Sequence, residues 1–599
     1  MWQQNYEPLG GSLGLSAAVA SIPILVLFCM LGLLRRPAWM AALAALAAAF
    51  VLALTAYHMP FVLAFMSTIT GAAYGVFPIA WIVFTSILLY RLAVETGKFE
   101  IIKDSIGGLT NDRRLQALFI AFSFGAFVEG AAGFGAPVAV SGALLVGLGF
   151  SPFYAAGICL LANTAPVAFG SIGIPVTTLA AVTELPVMPL SAMVGRLCAM
   201  ISVFIPMYLL IVMVGFRKMM EVLPAVIICG VSFAAVQFYV SNHMGPELTD
   251  ILSSLSCIGC MVLVLKFWKP KTIFRLEGDL PLAPAGMPYA PATSEGGNSH
   301  HATPALKQST TQVLEYAAPT TKHSPMQILV AWMPYILLVA FVLVWGHQPI
   351  KLRIDQATHT MLSSVMTLDP VKGDPTSAKL NNFPVPGLNN QIERERPVTK
   401  DPAPYRAVYQ LNILAASGTA CLFATLATAL IFRVSPRRFA RVYSATLSQL
   451  AKSILTIAAM LGLAYLMNYS GMTSTLGLAL ARTGKSFPFF SAILGWLGVF
   501  LTGSDTSANA LFGNLQVITA NQIGINPVLT ASVNSAAGVM GKMISLASIA
   551  VACAATGLGS KDEGKLFRFT VKHSILLAAI VGVVALIFAY VFPGGVPTK

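Results

Sequence analysis

Charged residues are scarce in this chain. Asp, Glu, Lys and Arg together make up 10% of its 599 residues, whereas 56% are hydrophobic. A soluble globular domain carries about 25% charged residues, so this shortage excludes a soluble protein. Many apolar runs reach the roughly 20 residues that cross a bilayer. The sequence therefore predicts an all-α polytopic membrane protein with about 12–14 transmembrane helices.

Cysteine is missing from the long polar stretches. All eight cysteines lie in apolar runs, and Cys257 and Cys260 form a single C-x-x-C pair. No second pair and no histidine pair completes a zinc site. We therefore expect the cysteines to be packing residues, as free cysteine commonly is. We expect no disulfide framework, no metal site and no cofactor.

Acidic residues are fewer than basic ones, and the net charge is +14. The Lys and Arg side chains occur in short clusters between apolar runs, which is the positive-inside pattern of a membrane protein. We therefore expect a lipid bilayer and no nucleic acid as partner. The first apolar run, 13–34, is too long for the core of a signal peptide and precedes Arg35 and Arg36. It predicts a first span with the N-terminus outside.

Polar stretches divide the chain into five predicted segments. We expect a disordered cytoplasmic linker, because 269–325 is polar and rich in Pro, Ser and Thr. We expect the external polar loop, 347–407, to be poorly structured, with a small ordered cap as the alternative. Beyond it, spans are predicted near 411–432 and 451–469. The five segments are an N-terminal transmembrane half (1–268), the linker (269–325), a linking helix (326–346), the external polar loop (347–407) and a C-terminal transmembrane half (408–599).

Two acids interrupt apolar, glycine-rich segments. Glu129 lies in Phe127-Val-Glu-Gly-Ala-Ala-Gly-Phe-Gly-Ala-Pro137, and Asp505 lies in Gly503-Ser-Asp-Thr-Ser-Ala-Asn-Ala510. A charge in hydrocarbon costs roughly 3 kcal/mol or more, so each acid is a functional candidate. Glycine and proline break helices there, and broken helices at membrane depth are buried in protein or line a cavity. We predict that both acids face one shared pocket; carboxylates that cap broken helices are the alternative.

Further polar residues follow each acid, and we predict a second helix break at both Asn163-Thr-Ala-Pro-Val-Ala-Phe-Gly170 and 534–542. Lys542 either attracts an anion, pairs with Asp505 or extends to the inner surface. Asp505 and Asn509 are four residues apart and would share a helix face. The amides and hydroxyls at the breaks would satisfy freed backbone groups, and helix N-termini there would bind carboxylates. Arg196 is expected to be an interfacial anchor. The candidate substrate- and proton-binding residues are Glu129, Asp505, Lys542, Ser504, Asn509, Asn163, Thr164, Asn534 and Ser535.

The two polar regions resemble each other and indicate an internal repeat. By the charge rule the first region starts inside, near Leu115, and the second starts outside, near Ser486. Inverted repeats with broken helices and a central site are typical of secondary transporters. The alignment pairs Phe127–Gly130 with Phe500–Gly503, Phe150–Pro152 with Ile525–Pro527, and Asn163–Pro166 with Asn534–Ala537.

Several strings across the chain closely resemble the bacterial lactate permease family. The resemblance covers nearly the whole chain outside the two long polar stretches. It implies import of L-lactate, and of D-lactate and glycolate as well, together with protons across the bacterial inner membrane. It also implies re-entrant hairpins like those of the ion-transporter superfamily. The matching strings include Trp2-Gln-Gln-Asn-Tyr6, Gly125–Pro137, Asn163–Gly170, Gly195-Arg196, Gly245-Pro-Glu-Leu248, Asn468-Tyr-Ser-Gly471, Gly495–Ser507, Gly541–Ser545 and Leu566–Ser574.

Three alternatives remain beside a proton-coupled carrier. In a sodium-coupled carrier of small carboxylates, Asp505, Ser504 and backbone carbonyls would bind the ion. A membrane-embedded enzyme would need a nucleophile–base pair or a metal triad, and the sequence shows no such His or Cys arrangement, so we expect no enzyme. A channel fits less well, because paired broken helices indicate alternating access. Whether the chain is a monomer or a homodimer stays open.

Overall fold

The computed structural model of the chain describes residues 1–133, 135–275, 323–365 and 381–598. The predicted linker at 269–325 lies largely outside these residues. The N-terminal half consists of helices α1 Leu13–Ala20, α2 Ile22–Phe28, α3 Ala38–Thr55, α4 Phe61–Tyr74, α5 Trp81–Glu95, α6 Lys98–Gly107, α7 Arg113–Gln116, α8 Gly125–Ala131, α9 Ala136–Gly147, α10 Pro152–Ala162, α11 Gly170–Thr183, α12 Val187–Ser202, α13 Ile205–Val214, α14 Phe216–Met220, α15 Leu223–His243 and α16 Thr249–Phe267.

The C-terminal part continues with a further set of helices and ends in π-helical and 3-10 turns. These helices are α17 Pro325–Gly346, α18 Gln348–Ser363, α19 Ser417–Ile431, α20 Pro436–Ser470, α21 Met472–Ala481, α22 Phe487–Thr502, α23 Asp505–Gln522, α24 Pro527–Lys542, α25 Leu546–Thr556 and α26 Glu563–Leu586. π-Helical turns at Ala117–Phe124 and Ile587–Val591 continue α7 into α8 and extend α26.

The described residues contain 12 helices that are long and apolar enough to cross a membrane, or up to 13 if one bent pair counts as a single span. This confirms the predicted class of helical membrane protein, and by length and apolar composition the number of helices falls within the predicted range. The helix α20 is longer than the span predicted near 451–469, because it begins at Pro436. The helix begins there because the Ser435 side chain caps it and Pro436 suits the first helical position.

The helices α7 to α9 form a re-entrant hairpin. Arg113 Nη1 donates a hydrogen bond to Leu148 O at 2.6 Å, and its guanidinium lies 4.9 Å from the centroid of the Phe150 ring. The start and the end of the hairpin therefore lie on the same side. The basic clusters there mark it as the inner side. The tip is the break after Ala131, where Gly135 takes a left-handed φ of 82° before α9 begins.

A second hairpin, α22 and α23, enters from the opposite side. Its start and its end both lie against the C-terminal segment. Tyr590 donates a hydrogen bond to Lys485 O before α22, and Asn526 donates one to Pro597 O after α23. Its tip is the break at Gly503, which has a φ of 71°.

Each hairpin is followed by a broken span. In the first half, α10 and the segment 167–183 meet at an angle of 64°. In the second half, α24 ends at Lys542 and α25 begins at Leu546. Both halves thus contain a hairpin and then a broken span, inserted from opposite sides, which is the inverted repeat that the sequence indicates.

The position of the second break was predicted wrongly. The helix α24 continues without interruption through Asn534 and Ser535 and breaks only after Lys542. The amide and the hydroxyl of this pair bond to side chains of α23 instead of to a freed backbone. The small residues that follow them, Ala, Ala and Gly, allow close helix packing and do not by themselves end a helix.

The described part of the external segment is an ordered cap. Strand β1 (Trp2–Gln3) runs parallel to β3 (Ile392–Arg394), which pairs antiparallel with β4 (Ala403–Pro404). Strand β2 (Asn382–Pro384) pairs antiparallel with β5 (Val408–Gln410). This is the ordered alternative to the expected unstructured loop. The pairing of β1 with β3 also places the N-terminus on the side of the cap.

Candidate functional site

A cavity of about 290 Å³ lies where the broken helices of the two halves meet. Residues next to each of the four breaks contribute to its wall: Glu129 and Gly135, Gly170 and Ser171, Gly503 and Asp505, and Lys542 and Ala547. Two intramembrane acids and one lysine therefore face the same space. Its remaining polar lining comes from Ser453, Thr456, Thr502, Ser504, Thr506, Ser507 and Ser548.

Glu129 occupies a recess that glycine makes possible. A Cβ atom at Gly170 would lie 2.5 Å from Glu129 Oε1, and one at Gly133 would lie 3.5 Å from it. The Ser171 hydroxyl donates to Ala132 O at 3.0 Å and ties the end of α8 to the start of α11. Glu129 is only 2% exposed, and its Oε2 has no hydrogen-bond partner among the described residues.

Strained backbone borders this recess. Ser171 and Ile172 have φ values of 48° and 59°, in the left-handed region, and Gly173 follows with 72°. A non-glycine residue there costs roughly 1–2 kcal/mol. Such strain persists only where the surrounding structure enforces it, and it clusters at binding sites.

Lys542 connects the two halves of the chain. Its Nζ lies 3.4 Å from Glu129 Oε1, and its side chain is 12% exposed. Two sequence-based readings are therefore wrong: the ammonium does not extend to the inner surface, and it bonds to Glu129 and not to Asp505. Lys542 is the last residue of α24, where the carbonyl end of the helix favours a cation.

Asp505 is held by a network of polar side chains. Its Oδ2 accepts a hydrogen bond from the Ser535 hydroxyl at 2.6 Å and a longer one from Asn509 Nδ2 at 3.4 Å. Asn534 Nδ2 donates to Asn509 Oδ1 at 2.9 Å, and Gln516 Nε2 donates to Asn534 Oδ1 at 3.1 Å. The network fixes one carboxylate oxygen, while Oδ1 has no hydrogen-bond partner within the described ranges.

Of the other predicted residues, one lines the cavity and two do not. Ser504 lines the cavity and caps α23, since its hydroxyl accepts from Ser507 N at 3.2 Å. Asn163 and Thr164 are buried at the first broken span but do not appear in the cavity wall of the described structure. Thr164 bonds to its own helix, and neither amide atom of Asn163 has a partner among the residues described.

Two helix N-termini point their first turns at the cavity. Residues Ser504 to Ser507 of α23, and Ala547 and Ser548 of α25, belong to its lining. Ser545 caps α25 by accepting from Ser548 N at 3.2 Å. The N-terminus of a helix carries a partial positive charge and binds anions. Together with Lys542, these ends make part of the wall attractive to a carboxylate.

Sequence reasoning missed two further features. Asp250, in the first turn of α16, is 1% exposed and packs beside Gly130. The rule that selected the other intramembrane acids could have found it, since Asp250 also lies at the start of an apolar run. Ser548 was missed because the break that exposes it was placed too early in the chain.

Arg196 bonds to two other parts of the fold. Its Nε donates to Asn242 Oδ1 at 2.9 Å, and its Nη1 donates to Gly595 O. These contacts join α12 to the end of α15 and to the C-terminal segment, away from the cavity lining.

Comparison with known proteins decides the family. A family model described as L-lactate permease matches residues 16–592. The chain belongs to the L-lactate permease family. Family members similar to it include the L-lactate permease of Bacillus subtilis, which is 48% identical over 100% of both chains. The glycolate permease GlcA of Escherichia coli is 43% identical over 99% of both chains, and the L-lactate permease of that organism is 43% identical over 100% of both.

Two solved structures also match this family member at low identity. The Neisseria gonorrhoeae protein MtrF, an antimetabolite efflux pump, has a TM-score of 0.45 at 12% identity and covers 88% of this chain and 85% of its own. The Alcanivorax borkumensis YdaH transporter has a TM-score of 0.40 at 13% identity, with 87% and 86% covered.

Proposed function

We propose that the chain carries lactate or glycolate, together with protons, into a bacterial cell. Relatives named L-lactate permease and glycolate permease, similar over the full length, support this substrate class. One observation supports the coupling: Glu129, Asp505 and Lys542 all line a single cavity between inverted halves. Such a cavity suits alternating access to a small anion.

The anion site is built from Lys542 and two helix ends. The substrate carboxylate lies at the Lys542 ammonium and at the N-terminal turns of α23 and α25. Hydrogen bonds to charged groups are worth about 1.5–3 kcal/mol each. The serine and threonine hydroxyls of the lining are suited to the 2-hydroxyl group that lactate and glycolate share.

Coupling follows from competition for Lys542. While Glu129 is ionised, it is the anionic partner of the lysine at 3.4 Å. A proton on Glu129 removes this partner, and Lys542 then binds the substrate carboxylate. The substrate in turn favours the protonated form of Glu129, because the coupling free energy is reciprocal. Asp505 acts as a second acid whose charge repels the substrate until it is protonated.

The proposal is tested with purified protein in proteoliposomes. Glu129→Gln and Asp505→Asn remove the proton-binding groups and keep the size of the side chains. We expect both variants to lose lactate accumulation driven by a pH gradient, whereas counterflow exchange of lactate continues. The matched control is Asp401→Asn, an acid 80% exposed in the cap, which should behave as wild type.

Wild-type accumulation by both variants would remove these acids from the mechanism. Dependence of wild-type uptake on sodium at fixed pH would favour the sodium-coupled carrier instead. Absence of lactate and glycolate counterflow in the wild type would contradict the substrate class.

A further inference from the structure

Asp250 is a buried acid that does not line the cavity. It is 1% exposed, and neither of its carboxylate oxygens has a hydrogen-bond partner in the described part of the chain. An ionised carboxylate with no partner is very costly inside a protein, so such a group holds a proton instead. Asp250 is therefore a neutral acid that is able to donate a proton.

Asp250 packs against Gly130, the residue that follows Glu129. A Cβ atom at Gly130, the residue after Glu129, would come within 2.8 Å of Asp250 Cβ and 3.1 Å of Ile251 N. The start of α16 thus packs against the end of α8 with no side chain between them. Glu129 Oε2 is also buried without a hydrogen-bond partner among the residues described. Two carboxyl groups with unsatisfied oxygens therefore flank one glycine.

Glu247 places a third carboxyl group on the outer side. It lies three residues before Asp250, in the loop between α15 and α16, and is half-buried. Its Oε1 accepts a hydrogen bond from Ser417 Oγ at 3.2 Å, at the start of the helix that follows the external cap. Desolvation raises the pKa of Glu247, against the opposing effects of Lys351 and Ser417. Glu247 consequently keeps a proton to higher pH than an exposed glutamate does.

We propose that Asp250 passes protons between the outer face, at Glu247, and Glu129, along a route separate from the substrate cavity. This inference rests on the proposed function, because it needs Glu129 to be a proton carrier. In the described structure Asp250 and Glu247 are not part of the cavity lining. A proton that enters this way reaches the Glu129 carboxylate from behind and does not cross the bound anion.

The transfer moves one proton and changes no other bond. Protonated Asp250 gives its proton to the Glu129 carboxylate, and the Asp250 carboxylate then takes a proton from Glu247 or from outer water. Within the described residues none of the three carboxyl groups hydrogen-bonds another. Each transfer therefore proceeds through a bridging water or a side-chain rotation.

The surroundings of Asp250 leave it without a cation. Glu129 on α8 and the Cys198 thiol on α12 are the titratable groups of neighbouring elements that interact with it electrostatically. The adjacent helix α15 carries His243 at its end, which is exposed. No basic side chain of the described residues pairs with Asp250, so no cation offsets the cost of its ionised form.

The test compares Asp250→Asn with wild type in proteoliposomes that contain a pH-sensitive dye. We expect counterflow exchange of lactate to be unchanged, because exchange needs no net proton movement. We expect the initial rate of uptake driven by a pH gradient, and the accompanying internal acidification, to fall about tenfold or more. Asp250→Glu should restore part of this rate. Ser253→Ala, one turn further along α16 and also buried, is the control and should keep both activities.

A second variant changes the outer loop and not the buried contact of α16 with α8. Glu247→Gln should slow proton-driven uptake when the outer pH is high and protons are scarce, and low outer pH should restore the rate. Wild-type proton-driven uptake by Asp250→Asn overturns the inference, and so does loss of counterflow, which would make Asp250 a structural residue. A Glu247→Gln rate equal to wild type at high outer pH also overturns it. Retained coupling in Glu129→Gln would instead refute the proposed function.

Discussion

Lys542 Nζ and Glu129 Oε1 are 3.4 Å apart and belong to opposite halves of the inverted repeat. They are separated by 413 residues in the chain. Through this ion pair, the charge of Glu129 in the first half acts directly on Lys542 in the second half. In the proposed mechanism the ionised Glu129 carboxylate and the substrate carboxylate compete for the Lys542 ammonium, so protonation of Glu129 favours substrate binding.

Replacement of Lys542 tests the anion site. Lys542→Gln removes the ammonium and should raise the KM for lactate about tenfold or more, because a charged hydrogen bond of about 1.5–3 kcal/mol is lost. The initial rate of uptake against lactate concentration measures this. Lys565→Gln, 64% exposed beside Asp562, is the matched control. An unchanged KM in Lys542→Gln would exclude the lysine from substrate binding.

Replacement of Gly170 tests the recess around Glu129. The added methyl group in Gly170→Ala would lie 2.5 Å from Glu129 Oε1, and the carboxylate would have to leave its position. We expect loss of lactate uptake while the purified protein remains folded. Gly259→Ala, on α16 with nothing within 4 Å of the added carbon, is the control and should be active. Full activity of Gly170→Ala would show that the position of Glu129 is not critical.

Arg114 should stabilise the inner end of the first hairpin. Its guanidinium is fully buried and donates to Asp112 Oδ2 at 2.7 Å and to Glu221 Oε2 at 2.6 Å. Arg114→Gln leaves the buried Asp112 carboxylate without its cation, which costs about 3–5 kcal/mol. Thermal unfolding in detergent should therefore occur at a clearly lower temperature.

The control for Arg114 is Lys218→Gln, which removes an exposed partner of Glu221 and should cost at most about 1 kcal/mol. The Arg114 guanidinium holds the pKa of Glu221 below its ordinary value. The stability that this pair contributes is present above the ordinary glutamate pKa of about 4.3 and is lost as the pH falls below it. Equal unfolding temperatures of Arg114→Gln and Lys218→Gln would contradict this role.

Much of the architecture follows from patterns that sequence alone displays. Long apolar runs predict the spans, and the glycines beside Glu129 and Asp505, with Pro137 near the first of them, predict the two helix breaks. The opposite insertion of the halves follows from the positions of basic clusters, since orientation depends on charge. These features are local or statistical, and no knowledge of packing is needed to find them.

The predictions that were wrong or incomplete concern features that depend on tertiary contacts. Asn534 and Ser535 look like a break in sequence, but α23 supplies their hydrogen-bond partners, so α24 continues past them. The Lys542 side chain points to Glu129 because the first hairpin reaches the end of α24, which no spacing rule reveals. Asp250 was overlooked because its burial depends on the contact of α16 with Gly130.

The central claim is that a proton on Glu129 frees Lys542 for the substrate. The most direct test measures lactate binding to purified wild type and to Glu129→Gln over a range of pH. Wild-type affinity should weaken steadily as the pH rises, whereas the affinity of Glu129→Gln should stay high and change much less with pH. An identical pH dependence in the two proteins would contradict the claim.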